Sequence, residues 1–308
     1  MIRGRFMPGQ IVEISSEGIH LSVDRGFLKL SRSGDKIGEV ALDLIEAVVV
    51  HGHGASFSAN LCARLSEHGT PLVICGGNHI PVSIVWPVNG HHAQGYRLQA
   101  QAEATATLKK RLWKDIVTAK ITAQAAALDQ LGTPMPGLRL MARQVKSGDP
   151  DNQEAQAARR YWKHLFGDEF RRDRKAAHHN ALLNYGYTIL RSGTARAILA
   201  AGLHPSLAIR HESRGEAFRL ANDLMEPFRP WVDAVVFRLI ARGEMDVTRE
   251  SKVALAEVMR LDLQGPRGAS PLQTCLDRLA GSLARVYLRE ATKLEFPGPP
   301  LSLSQAVI

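Results

Sequence analysis

The hydrophobic pattern changes its period near residue 96, and this change restricts the chain to a fold with two dissimilar parts. Before residue 96, short apolar segments are separated by turn residues, as β-strands are. These segments are 11–14, 19–23, 27–30, 40–42, 47–50, 72–75 and 81–85. One helix is predicted among them, at 58–68, where apolar residues recur at helical spacing. We therefore expect a small β-rich N-terminal domain over residues 1–88.

From Tyr96 onward, apolar residues recur every three or four positions, the spacing of amphipathic helices. The longest stripe runs from Leu98 to Ala123, and only Thr105 interrupts it. Further helices are predicted at about 152–166, 176–201, 223–243, 249–261 and 271–292. The predicted fold class is α+β: a linker at 89–95 and a larger all-α domain over 96–294 follow the β-rich domain. A flexible tail is expected over 295–308, which is rich in proline and glycine.

The excess positive charge lies entirely in the helical part. Residues 1–90 carry seven Lys and Arg against eight Asp and Glu, whereas the whole chain carries 39 against 30. Such an asymmetry suggests an anionic partner, of which nucleic acid is the commonest. Charge alone also fits an ordinary solubilising surface.

Several classes of protein are disfavoured by what the sequence lacks. Its three cysteines, Cys62, Cys75 and Cys275, are far apart and predict neither a disulfide framework nor a CxxC zinc site. No secretory signal is recognisable, and glycines, prolines and histidines break the uncharged stretch 68–96, so we expect a cytoplasmic protein without a membrane segment. Phosphate-binding loops and the motifs HExxH and GxSxG do not occur.

Glu154 is the first candidate functional residue. If Asp151 or Asn152 caps the 152–166 helix, Glu154 lies in its first turn, where a carboxylate is favourable. It could be a simple capping residue, but a dense cationic segment follows it. A carboxylate there weakens phosphate binding unless a cation stands between them. The basic residues of this segment, which would hold the backbone phosphates of a nucleic-acid partner, are Arg159, Arg160, Arg171, Arg172, Arg174 and Lys175.

A histidine and two acids form the second candidate group. His211 ends the loop-like stretch 202–211, and Asp223 and Glu226 follow at a spacing that places them on one helical face. Pro227 should mark a helix start or a kink, because proline inside a helix costs about 3 kcal/mol. The two acids are either first-turn carboxylates or a pair held for a metal, and neither motif is specific alone.

Together these segments resemble the spacer-acquisition integrase of CRISPR adaptation systems, a CRISPR-associated endonuclease/integrase, in the form found with type II systems. The resembling segments are 75–81, 151–162, 183–187, 202–211 and 223–233, in the family's order and at its spacing. The resemblance covers nearly the whole chain and makes the helical domain the catalytic one.

The resemblance implies that Glu154, His211 and Glu226 are catalytic and bind Mg²⁺ or Mn²⁺, with Asp223 as the rival third ligand. Two carboxylates and an imidazole suit such a cation. Two positions depart from the family. Ala208 replaces a usual glycine, and Asn222 replaces a common acid.

The implied reaction is transesterification. The 3′-hydroxyl ends of short double-stranded DNA fragments are joined to the border of a CRISPR repeat, and water in place of the hydroxyl gives endonuclease activity. The implied assembly is a homodimer formed through the β-rich domains, with a small CRISPR-associated partner subunit that joins two dimers into a heterohexamer.

Two other readings stay open on the sequence. One is a structure-selective nuclease for branched DNA in repair, and the other is a catalytically silent DNA-binding scaffold. The aromatic residues Trp162, Tyr185, Tyr187 and Trp231 occur at helical spacing, which predicts core positions rather than base-stacking surfaces.

Overall fold

The computed structural model describes residues 10–50, 52, 54–68, 70, 72–76, 81–85, 94–173, 176–211, 216–265 and 268–303. The chain divides into two compact units, Met1–Gly95 and Tyr96–Ile308. Of the predicted linker, residues 89–93 lie outside the described residues, and 94–95 begin a helix.

The first unit is built from strands and one helix, which confirms the predicted β-rich N-terminal region. Its described elements are β1 (Gln10–Ile14), β2 (Ile19–Asp24), β3 (Phe27–Arg32), β4 (Asp35–Ala41), β5 (Ile45–Val50), β6 (Ser56–Phe57), α1 (Ala59–Glu67), β7 (Leu72–Cys75) and β8 (Pro81–Val85). All seven predicted strand segments overlap one of these strands. Only the two-residue β6 was not predicted, because it is too short to show a period.

Two four-stranded sheets share the core of this unit. The first has the order β1-β5-β7-β8, parallel except for the last pair, and the second has the order β4-β3-β2-β6. Apolar residues from both sheets and from α1, among them Leu21, Val48, Leu61 and Leu72, are buried against one another. Burial of these side chains stabilises the unit by about 1.5–3 kcal/mol each.

The second unit is helical apart from one short β ladder. Its described elements are α2 (Gln94–Ala102), α3 (Ala106–Gln130), α4 (Pro136–Gln144), α5 (Gln153–Phe166), α6 (His179–Ala200), α7 (Arg219–Leu224), α8 (Arg229–Ala241), α9 (Arg249–Glu257), β9 (Asp262–Leu263), β10 (Ser270–Pro271) and α10 (Leu272–Tyr287). No helix in the described ranges is long and apolar enough to span a membrane.

The predicted long helix after Tyr96 is two helices. Thr105, the one polar interruption of the stripe, is the N-cap of α3, and its hydroxyl accepts a hydrogen bond from the Leu108 amide at 3.2 Å. Threonine favours this position because its side chain replaces a missing helical partner. The helix α4 was not predicted; its nine residues begin with Pro136 in the first turn.

Two long helices organise the second unit. α3 packs against α4, α5 and α8, while α6 packs against α8, α9 and α10. α6 approaches α8 closely at Gly186, where a Cβ atom would lie 2.5 Å from Val232 Cγ1. A glycine is therefore required at this crossing, within the segment 183–187 of the resemblance.

The predicted flexible tail is wrong for residues 295–303. Pro300 forms a β-bridge with Leu263, and the side-chain amide of Gln130 on α3 donates to the Pro300 carbonyl at 2.6 Å. The Leu301 amide donates to the Asp262 carbonyl at 2.9 Å, and Leu303 is buried. Proline and glycine here shape an ordered extended segment. Residues 304–308 lie outside the described residues.

Candidate active site

Glu154 lies in the first turn of α5, as predicted, and one of the two predicted cap residues, Asn152, occupies the N-cap position. Asn152 has a left-handed conformation, with φ of 51°, and its side chain makes no capping hydrogen bond. The Asp149 carboxylate supplies the cap instead, accepting from the Gln153 amide at 2.8 Å and the Glu154 amide at 3.0 Å. Another carboxylate therefore caps the helix, and the Glu154 side chain is left for other partners.

Glu226 begins a 3-10 turn, Glu226–Phe228, between α7 and α8. The predicted helix over 223–243 is therefore interrupted, because Pro227 and Pro230 lack the amide hydrogens of a continuous helix. Asp223 belongs to α7, so the two acids lie on different elements rather than on one continuous helix. They also have different partners. This separates the two candidates for the third ligand.

Lys120 connects Glu154 with Glu226. Its Nζ atom, on α3, lies 2.6 Å from Glu154 Oε1 and 2.6 Å from Glu226 Oε2. The guanidinium of Arg229 lies 3.1 Å from the other oxygen of Glu226, Oε1. The structure thus brings the two predicted carboxylates from α5 and the 3-10 turn to a single ammonium group.

Sequence reasoning missed Lys120, although one signal was present. Val117, Lys120 and Gln124 recur at helical spacing, and both neighbours are buried. A lysine at such a position needs a buried acidic partner.

The two carboxyl oxygens of Asp223 hold the loop that carries His211. Oδ2 accepts from the amides of Ile209 at 2.7 Å and Arg210 at 3.0 Å, and Oδ1 lies 2.5 Å from His211 Nδ1. Asp223 is fully buried. Because its oxygens are engaged in this way, Asp223 acts as the orienting partner of the histidine, which favours Glu226 as the third ligand.

Other contacts fix the same loop. The side chain of Gln101, on α2, donates to the carbonyls of His204 and Leu207 at 3.0 and 2.9 Å and accepts from the His204 amide at 2.8 Å. The ring of Trp113 meets the His211 ring edge-on, with centroids 6.0 Å apart. The His211 side chain remains about one-third exposed. The loop thus holds the imidazole in place and leaves part of it accessible.

The charges around Glu226 keep this buried carboxylate ionised. Burial by itself would raise the pKa of Glu226, but the cations Arg229 and Lys120 outweigh it, and the pKa lies below its ordinary value. Burial would likewise lower the pKa of Lys120, but Glu226 and Glu154 outweigh it, and this pKa is raised. The hydrogen bond to Asp223 raises the pKa of His211 against the opposing effect of burial. Charged partners therefore hold a buried carboxylate in its ionised form.

A divalent cation fits the chemistry of this donor set. Glu226 is a buried carboxylate whose Oε2 atom already contacts a cation, the Lys120 ammonium, at 2.6 Å. His211 commits Nδ1 to a carboxylate, the arrangement that orients metal-binding histidines and leaves Nε2 for the metal. Among the described residues, no three acidic, histidine or cysteine side chains are already arranged around one ion position.

The predicted DNA-contacting arginines fall into two groups. Arg159 and Arg160 lie on α5 and are exposed, and Arg171 is exposed while donating to nearby carbonyls. Arg172 is half-buried; it donates to the side chains of Asn180 and Asn184, and its guanidinium lies over the Tyr187 ring. It therefore has a structural role. Arg174 and Lys175 lie outside the described residues.

A second buried carboxyl group lies on α8. Asp233 accepts hydrogen bonds from the hydroxyls of Tyr161 at 3.1 Å and Tyr187 at 2.5 Å. Burial raises the pKa of Asp233 to about 7, although both hydrogen bonds oppose the increase. Tyr185, Tyr187 and Trp231 are buried, which confirms their predicted core positions, and Trp162 is half-buried.

Neither departure from the family pattern disturbs the site. Ala208 does not have a positive φ, so the loop before His211 does not need a glycine there. The Asn222 side chain donates to Glu216 at 2.6 Å. An ionised acid at position 222 could not make this contact, because a carboxylate has no hydrogen to donate.

Comparison with known proteins decides the family. The family described as CRISPR associated protein Cas1 matches residues 12–263. The chain is 33% identical over 286 residues to a protein of Neisseria meningitidis serogroup C (strain 8013) named CRISPR-associated endonuclease Cas1, covering 91% of this chain and 93% of that protein. This chain belongs to the Cas1 family. The predicted family of CRISPR-associated endonucleases is therefore confirmed.

Solved structures share the fold. A structure described as a casposase bound to integration product superposes with a TM-score of 0.76 at 21% identity, over 96% of this chain and 95% of that chain. A Cas6-RT-Cas1–Cas2 complex contains a chain that superposes with a TM-score of 0.71 at 18% identity, over 99% of this chain and 36% of that chain. These likenesses confirm the predicted fold class, a β-rich region followed by a mostly helical one.

Proposed function

We propose that this Cas1-family protein is a cytoplasmic, divalent-metal-dependent endonuclease and integrase of CRISPR adaptation. Its substrates would be short double-stranded DNA fragments and CRISPR repeat DNA. The observation that carries the proposal is that Glu154 and Glu226 both contact the Lys120 ammonium, and that Arg229 contacts Glu226 as well. Two carboxylates held together in a partly buried site cost free energy unless a positive charge lies between them. Binding a cation is a function that would explain why this pair is present.

The proposed site residues have distinct roles. Glu154, Glu226 and the Nε2 atom of His211 would hold Mg²⁺ or Mn²⁺. When bound, this ion would stabilise negative charge on the phosphoryl oxygens and favour ionisation of the attacking oxygen. Asp223 orients His211, and Arg229 engages Oε1 of Glu226, whereas Oε2 contacts the Lys120 ammonium.

The proposed reaction exchanges one phosphodiester for another. The 3′-hydroxyl oxygen of the fragment forms a bond to the phosphorus at the repeat border, the existing P–O3′ bond breaks, and a new 3′-hydroxyl is released. The proton lost by the attacking hydroxyl balances the proton gained by the leaving oxygen. Water as the nucleophile gives nicking at the same site.

Binding of the DNA backbone falls to cationic side chains. Arg159 and Arg160 are exposed on the helix that carries Glu154. Contacts of this kind give affinity that falls steeply with salt and carries little sequence information. We extend this role to Arg171, Arg174 and Lys175 as a proposal, but not to Arg172, whose partners are internal.

The proposed assembly is a homodimer that works with a small CRISPR-associated subunit, two dimers forming a heterohexamer. Its support is the fold shared with a chain of a complex that contains Cas2, and with a casposase bound to integration product.

The test is a joining reaction. Purified protein, with and without its small partner, is incubated with fragment DNA, a repeat-containing plasmid and Mn²⁺ or Mg²⁺, and the junctions are sequenced. We expect joined half-site products from the wild type and a loss of at least about 100-fold with Glu154→Ala or His211→Ala, with DNA binding nearly unchanged. Retained joining by Glu154→Ala contradicts the site assignment. Cleaved branched DNA without joined products would instead support a repair nuclease.

A further inference from the structure

Lys120 occupies the place between the two carboxylates that the proposed function assigns to a metal. Its ammonium is 2.6 Å from one oxygen of each glutamate. Divalent Mg²⁺ binds oxygen at about 2.0–2.1 Å. The ammonium and a divalent ion bound by the same two oxygens would therefore overlap. Only one of them can occupy this position at a time.

The surroundings explain why a resident cation is needed. Glu226 is only 4% exposed, and the side chain of Lys120 is 12% exposed. Without Lys120, the buried Glu226 and the nearby Glu154 would place two negative charges together beside Arg229 and His211. Like charges in a poorly hydrated site repel strongly.

The two cations of the site use different oxygens of Glu226. The Lys120 ammonium lies 2.6 Å from Oε2. The Arg229 contact, by contrast, uses Oε1 and does not compete for Oε2. Of these two cations, Lys120 is therefore the one whose position overlaps the metal's.

We propose that Lys120 is a positioning residue that acts as a built-in competitor of the metal: it holds Glu154 and Glu226 together in the metal-free protein and is displaced when the metal binds. This proposal rests on the proposed function, because it presumes that these glutamates are metal ligands. It adds that metal affinity is limited by the chain's own lysine.

Calorimetric titration with Mn²⁺ alone tests the affinity. Lys120→Met keeps the length of the side chain and removes its charge, and Lys114→Met is the matched control because Lys114 is exposed on the same helix. We expect the Mn²⁺ Kd of Lys120→Met to be at least about tenfold lower than that of the wild type. Lys114→Met should change it less than about twofold.

Thermal unfolding separates this role from a merely structural one. In EDTA, Lys120→Met should unfold at a lower temperature than the wild type, because its carboxylates have lost a cation. Saturating Mn²⁺ should narrow or remove this difference, since the ion replaces the lost charge. An unchanged difference in EDTA and in Mn²⁺ overturns the proposal.

Amine labelling of the wild type tests displacement without a variant and covers the case in which Lys120→Met does not fold. A pulse of acetylating reagent, followed by mass spectrometry, should modify Lys120 several-fold faster with Mn²⁺ than with EDTA, and Lys114 equally in both. Equal labelling of Lys120, or a Kd for Lys120→Met that is unchanged or higher, overturns the proposal while metal-dependent joining stands. If the wild type neither binds Mn²⁺ nor joins DNA, the proposed function fails as well.

Discussion

Two buried carboxyl groups near the start of α8 have opposite electrostatics. Glu226 and Asp233 are only 4% and 2% exposed, and they are seven positions apart in the sequence. Glu226 faces the cations Lys120 and Arg229, and its pKa is lowered. Asp233 faces two tyrosine hydroxyls, and burial raises its pKa to about 7. The same degree of burial therefore accompanies an ionised acid in one place and a readily protonated acid in the other.

The difference shows that the partners, and not burial alone, decide the charge of an internal carboxyl group. The hydrogen bonds from Tyr161 and Tyr187, together with the charges of Arg229 and Arg172, do not offset the cost of removing the Asp233 carboxylate from water. The ion pairs with Lys120 and Arg229 do offset that cost for Glu226. An ionised carboxylate is what a hard metal ion requires. Glu226 suits a catalytic role on this ground, and Asp233 suits a structural one that links α5, α6 and α8.

The largest expected effect is a difference in strand-joining activity between variants of Glu226 and of Asp233. Glu226→Gln keeps the shape of the side chain but removes its charge, so joining should fall at least about 100-fold. Asp233→Asn can accept from one tyrosine hydroxyl through its amide oxygen and donate to the other through its amide nitrogen, and its joining rate should stay within about threefold of the wild type. The measurement is the rate of strand joining at equal DNA occupancy, with folding checked by circular dichroism. Equal losses in both variants contradict the distinction.

A smaller effect is expected from Asp223→Asn. The amide oxygen can still accept one or two loop hydrogen bonds, but it no longer supports His211 with a negative charge. Joining should fall about 10–100-fold, the usual range for a partner that orients a ligand. Asn222→Ala, at the neighbouring position, is the control. A loss as complete as that of Glu226→Gln, together with loss of Mn²⁺ binding, would instead make Asp223 the third ligand.

The smallest effect concerns stability and pH. The folded-state pKa of Asp233, about 7, exceeds its ordinary value of 3.8, so the folded protein retains a proton that the unfolded chain releases. The contribution of protonated Asp233 to the free energy of unfolding is therefore fully present below about pH 4 and is lost as pH rises through 7. Asp233→Asn lacks this dependence. Its Tm relative to the wild type should rise by several degrees between pH 4 and 7, as measured by thermal unfolding. A constant difference over this range would exclude a raised pKa.

The sequence predicts the parts of the site that depend on neighbouring residues. The position of Glu154 in a first helical turn follows from local spacing, and the break near Glu226 follows from Pro227. The change of period near Tyr96 likewise predicts the two units. These features need only the local backbone, so one sequence suffices to find them.

The parts that were missed depend on contacts between distant segments. Lys120 and Glu226 are 106 residues apart, and Gln101 reaches a loop more than 100 residues away. Asp149 caps α5 from a loop whose left-handed turn at Asn152 has no clear local signal. The segment 295–303 has the composition of a loose tail, and only its bonds to Gln130 and Asp262 show that it is ordered.

That segment also walls a groove of about 730 Å³ along α3, the helix that carries Lys120. Ala119 and Ala123 form one side of the groove, and Phe296 and Pro297 form the other. A protease that cleaved the chain after Leu294 would remove the second side and expose the apolar surface of α3 to water. Protein cleaved in this way should aggregate, so an intact C-terminus is a practical measure of sample quality.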